Sequence, residues 1–248
     1  MIKAILLDLE GVLINIDYKK TFEAFAELGK QIKYDKLFAD LVESYDAGKI
    51  DTQQLFTQFK HNYGWQDLTF DKFVQAWNAM LLFMPDDRIE YLLHLKQKYS
   101  IKLFILSNIN ELHAKVITEN YGDILNKMLD ATPFYSYEIK LLKPASESFQ
   151  HVLSYLANQF NLVANNVLFL DDTKGNVVAA EKLGMRAKHF VTNGIMENGA
   201  VYLGHTIMAE LPACSIKSCQ QHLWLAPSLL EISKQAYHAN SILTPKIS

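Results

Sequence analysis

The segment Lys3-Ala4-Ile5-Leu6-Leu7-Asp8-Leu9-Glu10-Gly11-Val12-Leu13 decides how this chain folds. Its unbroken apolar run fits a strand buried on both faces, and the run stops at a carboxylate, a second carboxylate and a glycine. In an open parallel sheet, ligands bind beyond the carboxyl ends of the strands. Asp8 and Glu10 are therefore expected to face a pocket rather than a core.

Two later segments repeat the design: Lys102-Leu103-Phe104-Ile105-Leu106-Ser107-Asn108 and Asn166-Val167-Leu168-Phe169-Leu170-Asp171-Asp172. Between them, Lys143-Pro144 marks a loop. Singly these features are weak, because an Asp at a strand end is most often a turn or cap residue and a lysine before proline is most often a solvated one. Their order carries the information: strand with acid, strand with Ser-Asn, Lys-Pro loop, strand with Asp-Asp.

From Asp87 onward helix and strand alternate as parallel βαβ units require. Helices are expected over 88–99, 112–120, 146–160 and 176–183, with Ser146 capping the third and Gly184 stopping the last. Further strands are expected within 128–136 and 186–191. The fold class is α/β, a parallel sheet flanked by helices.

Between the first and second strands the chain reads as helical throughout. Phe22, Phe25 and Leu28 recur at helical spacing, as do Leu37, Leu41 and Tyr45, then Leu55 and Phe59, then Phe73, Trp77 and Leu81. Gly29 can end the first helix, Asp51 or Thr52 can cap the third, and Gly64 can end it. Such an insertion is either a helical layer of the core or a cap over the strand ends. The cap is favoured, since no comparable insertion occurs elsewhere.

The ordered motifs resemble the haloacid dehalogenase (HAD) superfamily. Asp8–Asp17 (DLEGVLINID), Trp77–Leu82 (WNAMLL), Ser107–His113 (SNINELH), Lys143-Pro144 and Phe149–Leu153 (FQHVL) are similar to one branch of it. That branch includes bacterial α-D-glucose-1-phosphate phosphatases and the amino-terminal phosphatase domain of epoxide hydrolases. The resemblance spans residues 1–195. It implies a Rossmann-like core over 1–14 and 88–200 and a helical, C1-type cap over 15–87, leaving 201–248 as an extension without an assigned role.

The same resemblance implies a phosphomonoester hydrolase acting through an aspartyl-phosphate on a small phosphorylated metabolite, a sugar phosphate first among them. Asp8 would be the nucleophile and a metal ligand. The backbone carbonyl of Glu10 would be a second ligand and Asp172 a third, with Asp171 beside them as a further candidate. Ser107 and the backbone of Asn108 would hold phosphoryl oxygens, and Gly11 and Asn176 join the phosphate-binding set, Asn176 by steadying the acidic loop. Lys143 would supply a fixed positive charge that keeps Asp8 ionised. Mg2+ is the implied cofactor, because two anions must meet and a hard cation with oxygen ligands relieves their repulsion.

Glu10 departs from the family pattern. Most family phosphatases carry Asp two residues after the nucleophile, where it protonates the leaving oxygen and then activates water. Some branches carry glycine there. Glu is one methylene longer, and that reach can misplace the acid beyond the tolerance of catalytic geometry. A catalytically impaired scaffold is therefore an alternative, followed by a metal-free haloacid dehalogenase. A phosphomutase is a further enzyme option that Glu10 makes less attractive.

Composition sets milder bounds. The chain has 248 residues, half of them hydrophobic, and a net charge of −3. It can bury a full core, and it lacks the basic excess that a nucleic-acid partner calls for. The apolar start is interrupted by Asp8 and Glu10, and no stretch is long enough to cross a bilayer, so neither a signal peptide nor a membrane is expected and the location is read as cytoplasmic. Cys214 and Cys219 lack CxxC spacing and are read as free thiols.

Weaker candidates remain open. His113 either caps or decorates a helix start or contacts the leaving group. Trp77 and Asn78 either pack the cap or touch a sugar. In the extension, Ser228 to Tyr237 reads as a helix, and His222-Leu223-Trp224-Leu225 is either docked on the domain or a protein-binding patch.

Overall fold

The computed structural model describes residues 1–190 together with Leu203, Ile207 and Glu210. In chain order the elements are β1 (Ala4–Leu7), α1 (Tyr18–Glu27), α2 (Lys36–Asp46), α3 (Thr52–Tyr63), α4 (Phe70–Asn78), α5 (Asp86–Tyr99), β2 (Lys102–Ser107), α6 (Glu111–Met128), β3 (Phe134–Tyr135), α7 (Ser136–Ile139), α8 (Ser146–Phe160), β4 (Val167–Asp171), α9 (Lys174–Lys182) and β5 (Arg186–His189). The strands form one parallel sheet in the order β3-β2-β1-β4-β5.

This order places β1 at the centre. Leu7 pairs with Ile105 on one side and Leu170 on the other, so the chain leaves β1, β2 and β4 at one edge of the sheet. Asp8, Ser107 and Asp171 emerge together there for that reason. The strand residues of β1 and β4 are all buried, as continuous apolar runs covered by helices on both faces require. Phe149 of α8 packs edge-on against Phe169 of β4 at 5.3 Å, a geometry worth about 1 kcal/mol beyond the burial itself.

Helices α1 to α4 build a second apolar cluster around Phe25, Phe59, Phe73 and Trp77, to which α6 adds Leu112. Phe59 lies at its middle, 5.3 Å from Phe73 and 5.7 Å from Trp77. The chain enters and leaves this insertion through two adjacent extended segments. Asn15 N donates to Phe83 O, Leu82 N to Asn15 O and Asp17 N to Met80 O, at 2.9–3.0 Å, around an antiparallel bridge between Ile16 and Leu81.

Several local expectations hold in detail. Asp51 caps α3 in a reciprocal capping box with Gln54, and Gly64 ends it with φ +68°. Others are corrected. On α2 it is Phe38 that turns inward, and Leu37 is exposed, because the apolar stripe of Phe38, Leu41 and Tyr45 already fills the inner face. The helix expected over 112–120 runs on to Met128 through Gly122, and the strand expected within 128–136 shrinks to Phe134–Tyr135. Ser146 is the first residue of α8 rather than its cap, and its hydroxyl bonds Glu147. Strand β5 ends at His189.

No helix among the described residues is long and apolar enough to cross a membrane. The expected helix over 228–237, the segment around Trp224 and both cysteines lie outside the described residues.

Candidate active site

Lys143 organises the site. Its Nζ lies 3.0 Å from Asp8 Oδ1 and 2.6 Å from Asp171 Oδ2, and it donates to the main-chain oxygen of Leu106 at 2.9 Å. The lysine is almost wholly buried. Asn108 sets its position: the Asn108 carboxamide accepts from Lys143 N and donates to Lys143 O, both at 2.8 Å. The Asn108 side chain is therefore committed to the lysine loop, leaving only its backbone for a phosphoryl group.

Asp171 is a brace. Its two oxygens accept from Lys143 Nζ, from Asn176 Nδ2 at 3.0 and 3.1 Å, and from Thr173 N at 2.7 Å. Asn176 thus holds Asp171, and it does so from inside the protein. Asp172 follows on the open side, its main-chain oxygen held by His189 Nε2 at 2.7 Å.

Carboxylate oxygens of Asp8, Asp171 and Asp172 lie within 4.8 Å of one another, the one such acidic group among the described residues. Burial raises the pKa of Asp8 to about 7; Lys143 opposes the rise, and Asp171 and Asp172 add to it. Burial and Asp171 also push Asp172 up. Lys143 loses by burial, but Asp8 and Asp171 outweigh that and raise its pKa, so it stays charged. Three crowded carboxylates against one lysine are a donor set that fits a hard divalent cation. Because the oxygens of Asp171 are already engaged, Asp8 and Asp172 are the better placed of the three to face it.

Gly11 enters the site in a different capacity from the phosphate contact expected of it. Its φ is +84°, and a Cβ there would run into the carboxylate of Asp172. Glycine is needed at that point both for the backbone angle and for the close approach. Ser107 is buried, and its hydroxyl has no hydrogen-bond partner, while lying near enough to Asp8 to favour the ionised carboxylate. A donor in that state beside a nucleophile is suited to a ligand oxygen.

Glu10 is not one of the three converging carboxylates; it has a partner of its own. Its Oε1 lies 2.9 Å from His113 Nδ1, and His113 Nε2 lies 3.4 Å from the main-chain oxygen of Trp77. Burial works against the charge on His113, but Glu10 and Asp46 outweigh it and raise its pKa. Nδ1 also faces Asn110 Nδ2 at 3.4 Å, but the shorter contact is to the Glu10 carboxylate, so with its raised pKa the ring donates to Glu10 and to Trp77 O. His113 is therefore a buried partner of Glu10, neither a surface residue nor a helix cap.

Trp77 is corrected as a substrate contact. It is buried in the aromatic cluster, and its indole N–H donates to Asn110 Oδ1 at 3.3 Å, so neither face nor edge is offered to a sugar.

Sequence reasoning missed Asp46, Asn110 and Tyr18. Asp46, the last residue of α2, has its pKa raised to about 7 by burial and then by Glu10. Asn110 caps α6 and bonds Asp46. Tyr18, the first residue of α1, is exposed as a whole, but desolvation at its hydroxyl and then Glu10, Asp172, Asp8 and Asp46 raise the phenol's pKa, which sets that end of the side chain near the acids. Only Asn110 left a local signal, a polar residue just before an apolar-periodic run.

A family profile described as haloacid dehalogenase-like hydrolase matches residues 2–184. A D-ribitol-5-phosphate phosphatase of Bacteroides thetaiotaomicron is 27% identical over 192 residues, covering 74% of this chain and 89% of that protein. A HAD family enzyme of the same organism, solved in complex with magnesium and inorganic phosphate, superposes with a TM-score of 0.69 at 25% identity, covering 79% of this chain and 98% of that one. A predicted HAD-like hydrolase from Porphyromonas gingivalis shares the fold with a TM-score of 0.66 at 23% identity, over 84% and 98% of the two chains.

Proposed function

The chain belongs to the haloacid dehalogenase-like hydrolases, and we propose that within this family it is a magnesium-dependent phosphomonoesterase working through an aspartyl-phosphate on Asp8. One observation carries the reading: Asp8 stands at the end of the central strand, 3.0 Å from a buried lysine, with two more carboxylates converging on it. A metal-free dehalogenase has no use for that third carboxylate.

Asp8 is aligned before substrate arrives. Its Oδ1 accepts from Leu9 N at 2.7 Å and from Lys143, which leaves Oδ2 for in-line attack on phosphorus. The P–O bond to the leaving group breaks as the Oδ2–P bond forms, and the proton passes from the charged His113 ring through Glu10 to the leaving oxygen. Water then attacks the phosphorus of the aspartyl-phosphate, with Glu10 taking its proton, and frees inorganic phosphate and Asp8. Lys143 and the Ser107 hydroxyl hold phosphoryl oxygens and the charge on them. Asp8, Asp172 and the Glu10 main-chain oxygen would hold magnesium, which when bound would neutralise charge on the phosphoryl group.

Residues 15–87 act as the cap and residues 1–14 with 88–190 as the core; the stretch 191–200 that the sequence also assigns to the core lies outside the described residues. The ribitol-5-phosphate phosphatase relative supports a small phosphorylated polyol or sugar as substrate. The test is inorganic phosphate release from a panel of sugar and polyol phosphates and p-nitrophenyl phosphate, with magnesium and with chelator. Release that needs magnesium and disappears in Asp8→Asn is expected; equal release by Asp8→Asn removes the reading.

A further inference from the structure

Asn110 occupies a crossing that the reaction above does not use. It is buried, 3% exposed, with a carboxamide engaged on both ends. Oδ1 accepts from His113 N at 3.0 Å and from Trp77 Nε1 at 3.3 Å, and Nδ2 donates to Asp46 Oδ1 at 3.2 Å. Trp77 and Asp46 come from α4 and α2, within the helical insertion. Asn110 and His113 come from the sheet side, and the His113 ring holds Glu10. Contacts therefore run from two inserted helices, through one side chain, to the carboxylate of the acid/base residue.

The insertion end of this line is fixed by backbone. Ser136 Oγ donates to Asp46 O at 2.6 Å, and Lys140 Nζ donates to Gly48 O at 2.8 Å. Gly48 has φ +60°, and a Cβ there would collide with the main-chain oxygen of Tyr137. The last turn of α2 is thus seated on α7, which sets where Asp46 points. The other end needs such a tether, because Glu10 has one more rotatable bond than the Asp usual at its position. A free glutamate would sample several rotamers at the site.

We propose that Asp46 and Asn110 are positioning residues that lock the His113–Glu10 pair in place when α2 and α4 are docked, so that the helical insertion assembles the acid/base group. Neither residue touches substrate. Removing the Asp46 acceptor leaves the buried Asn110 Nδ2 without it, so the carboxamide can shift against the His113 ring, 3.4 Å from Nδ2, and let that ring swing. An asparagine at 46 keeps an acceptor oxygen for Asn110 and preserves the lock.

The test has a spectroscopic arm, independent of turnover, and a kinetic arm that rests on the phosphatase reading. In the full chain labelled with 15N-histidine, the imidazole N–H signal of His113 is assigned by its loss in His113→Gln. Asp46→Ala is expected to speed solvent exchange of that proton by roughly tenfold or more, and Asp46→Asn by less than about twofold. On an alkyl phosphate, Asp46→Ala is expected to lower kcat by roughly tenfold or more while inhibition by inorganic phosphate shifts less than about twofold, and Asp46→Asn to restore kcat. If the alanine variant fails to fold, Trp77→Phe removes the other insertion-side contact to Asn110 and is expected to speed exchange in the same sense. Unchanged exchange in Asp46→Ala, an asparagine variant as damaged as the alanine one, or phosphate inhibition lost in step with kcat overturns the proposal. Wild-type protein that shows the exchange pattern but hydrolyses no phosphoester upholds the lock and removes the phosphatase reading instead.

Discussion

Gly11 and Asp172 meet so closely that a methyl group on Gly11 would occupy the space of the Asp172 carboxylate. The loop after the first strand is thereby packed directly against the acidic pair after the fourth. Gly11→Ala must both adopt a left-handed backbone and displace Asp172, a combined cost of about 1–3 kcal/mol. The expected result is a larger loss of magnesium affinity than of stability, read by magnesium titration of activity beside thermal melts.

Lys143 is the buried cation between Asp8 and Asp171. Replacing it with methionine leaves two buried carboxylates without their partner, a loss of about 3 kcal/mol above neutral pH that shrinks as acid protonates Asp8. Urea unfolding of Lys143→Met at pH 5.5 and pH 8, each against wild type, measures this. A deficit independent of pH would show that the lysine acts mainly through packing.

The carboxyl groups of Asp8 and Asp46 both have pKa values near 7, well above their value of about 3.9 in an unfolded chain. The folded state therefore binds more protons than the unfolded one between about pH 4 and pH 7, and stability falls as pH rises through that window. His113, raised above its ordinary value, acts in the same direction. Melting temperature of the metal-free protein is expected to fall by roughly 5 °C or more from pH 5 to pH 8. Magnesium, which favours ionised Asp8, is expected to raise it more at pH 8 than at pH 5. Calorimetry at the two pH values, with and without the ion, decides it; equal magnesium effects would count against Asp8 as a ligand.

Trp77 packs rather than binds. Trp77→Phe should keep KM unchanged, and Trp77→Ala should cost about 3–5 kcal/mol through the cavity it leaves in the aromatic cluster. A KM raised in the phenylalanine variant while stability holds would return Trp77 to the substrate pocket.

Glu10→Gln is expected to slow turnover of an alkyl phosphate by about a hundredfold or more, with inhibition by inorganic phosphate retained. For p-nitrophenyl phosphate, whose leaving group needs no proton, the same variant should show a burst of p-nitrophenol before a slow steady state. Turnover equal to wild type on both substrates would assign the proton to water or substrate.

The buried strands and their acidic ends were legible because a parallel strand covered on both faces has to be apolar throughout, so that a carboxylate at its end stands out. Lys143, Asn108 and Asn176 were legible as members of an ordered set, although the carboxamide grip of Asn108 on the lysine loop was not. The length of α6 was hidden by Gly122, a helix breaker by propensity that the packed helix tolerates. Asp46 was invisible for a different reason: 64 residues separate it from Asn110, and only the docking of α2 gives its carboxyl a function.

Asn15 and Phe83 are hydrogen-bonded neighbours, and the four helices between them share one apolar cluster, closed from the core side by Leu112. Seen from the gene, this is a cassette with a single doorway: a recombination joint at those two positions exchanges all four helices without opening the sheet. Descendants of such a chain can acquire a new substrate by replacing the cassette while Asp8, Lys143 and Asp172 are inherited intact. What a transplant cannot carry over is the partner for Asn110, so a foreign cassette without an acceptor at the end of its second helix would arrive with chemistry intact and its proton donor adrift.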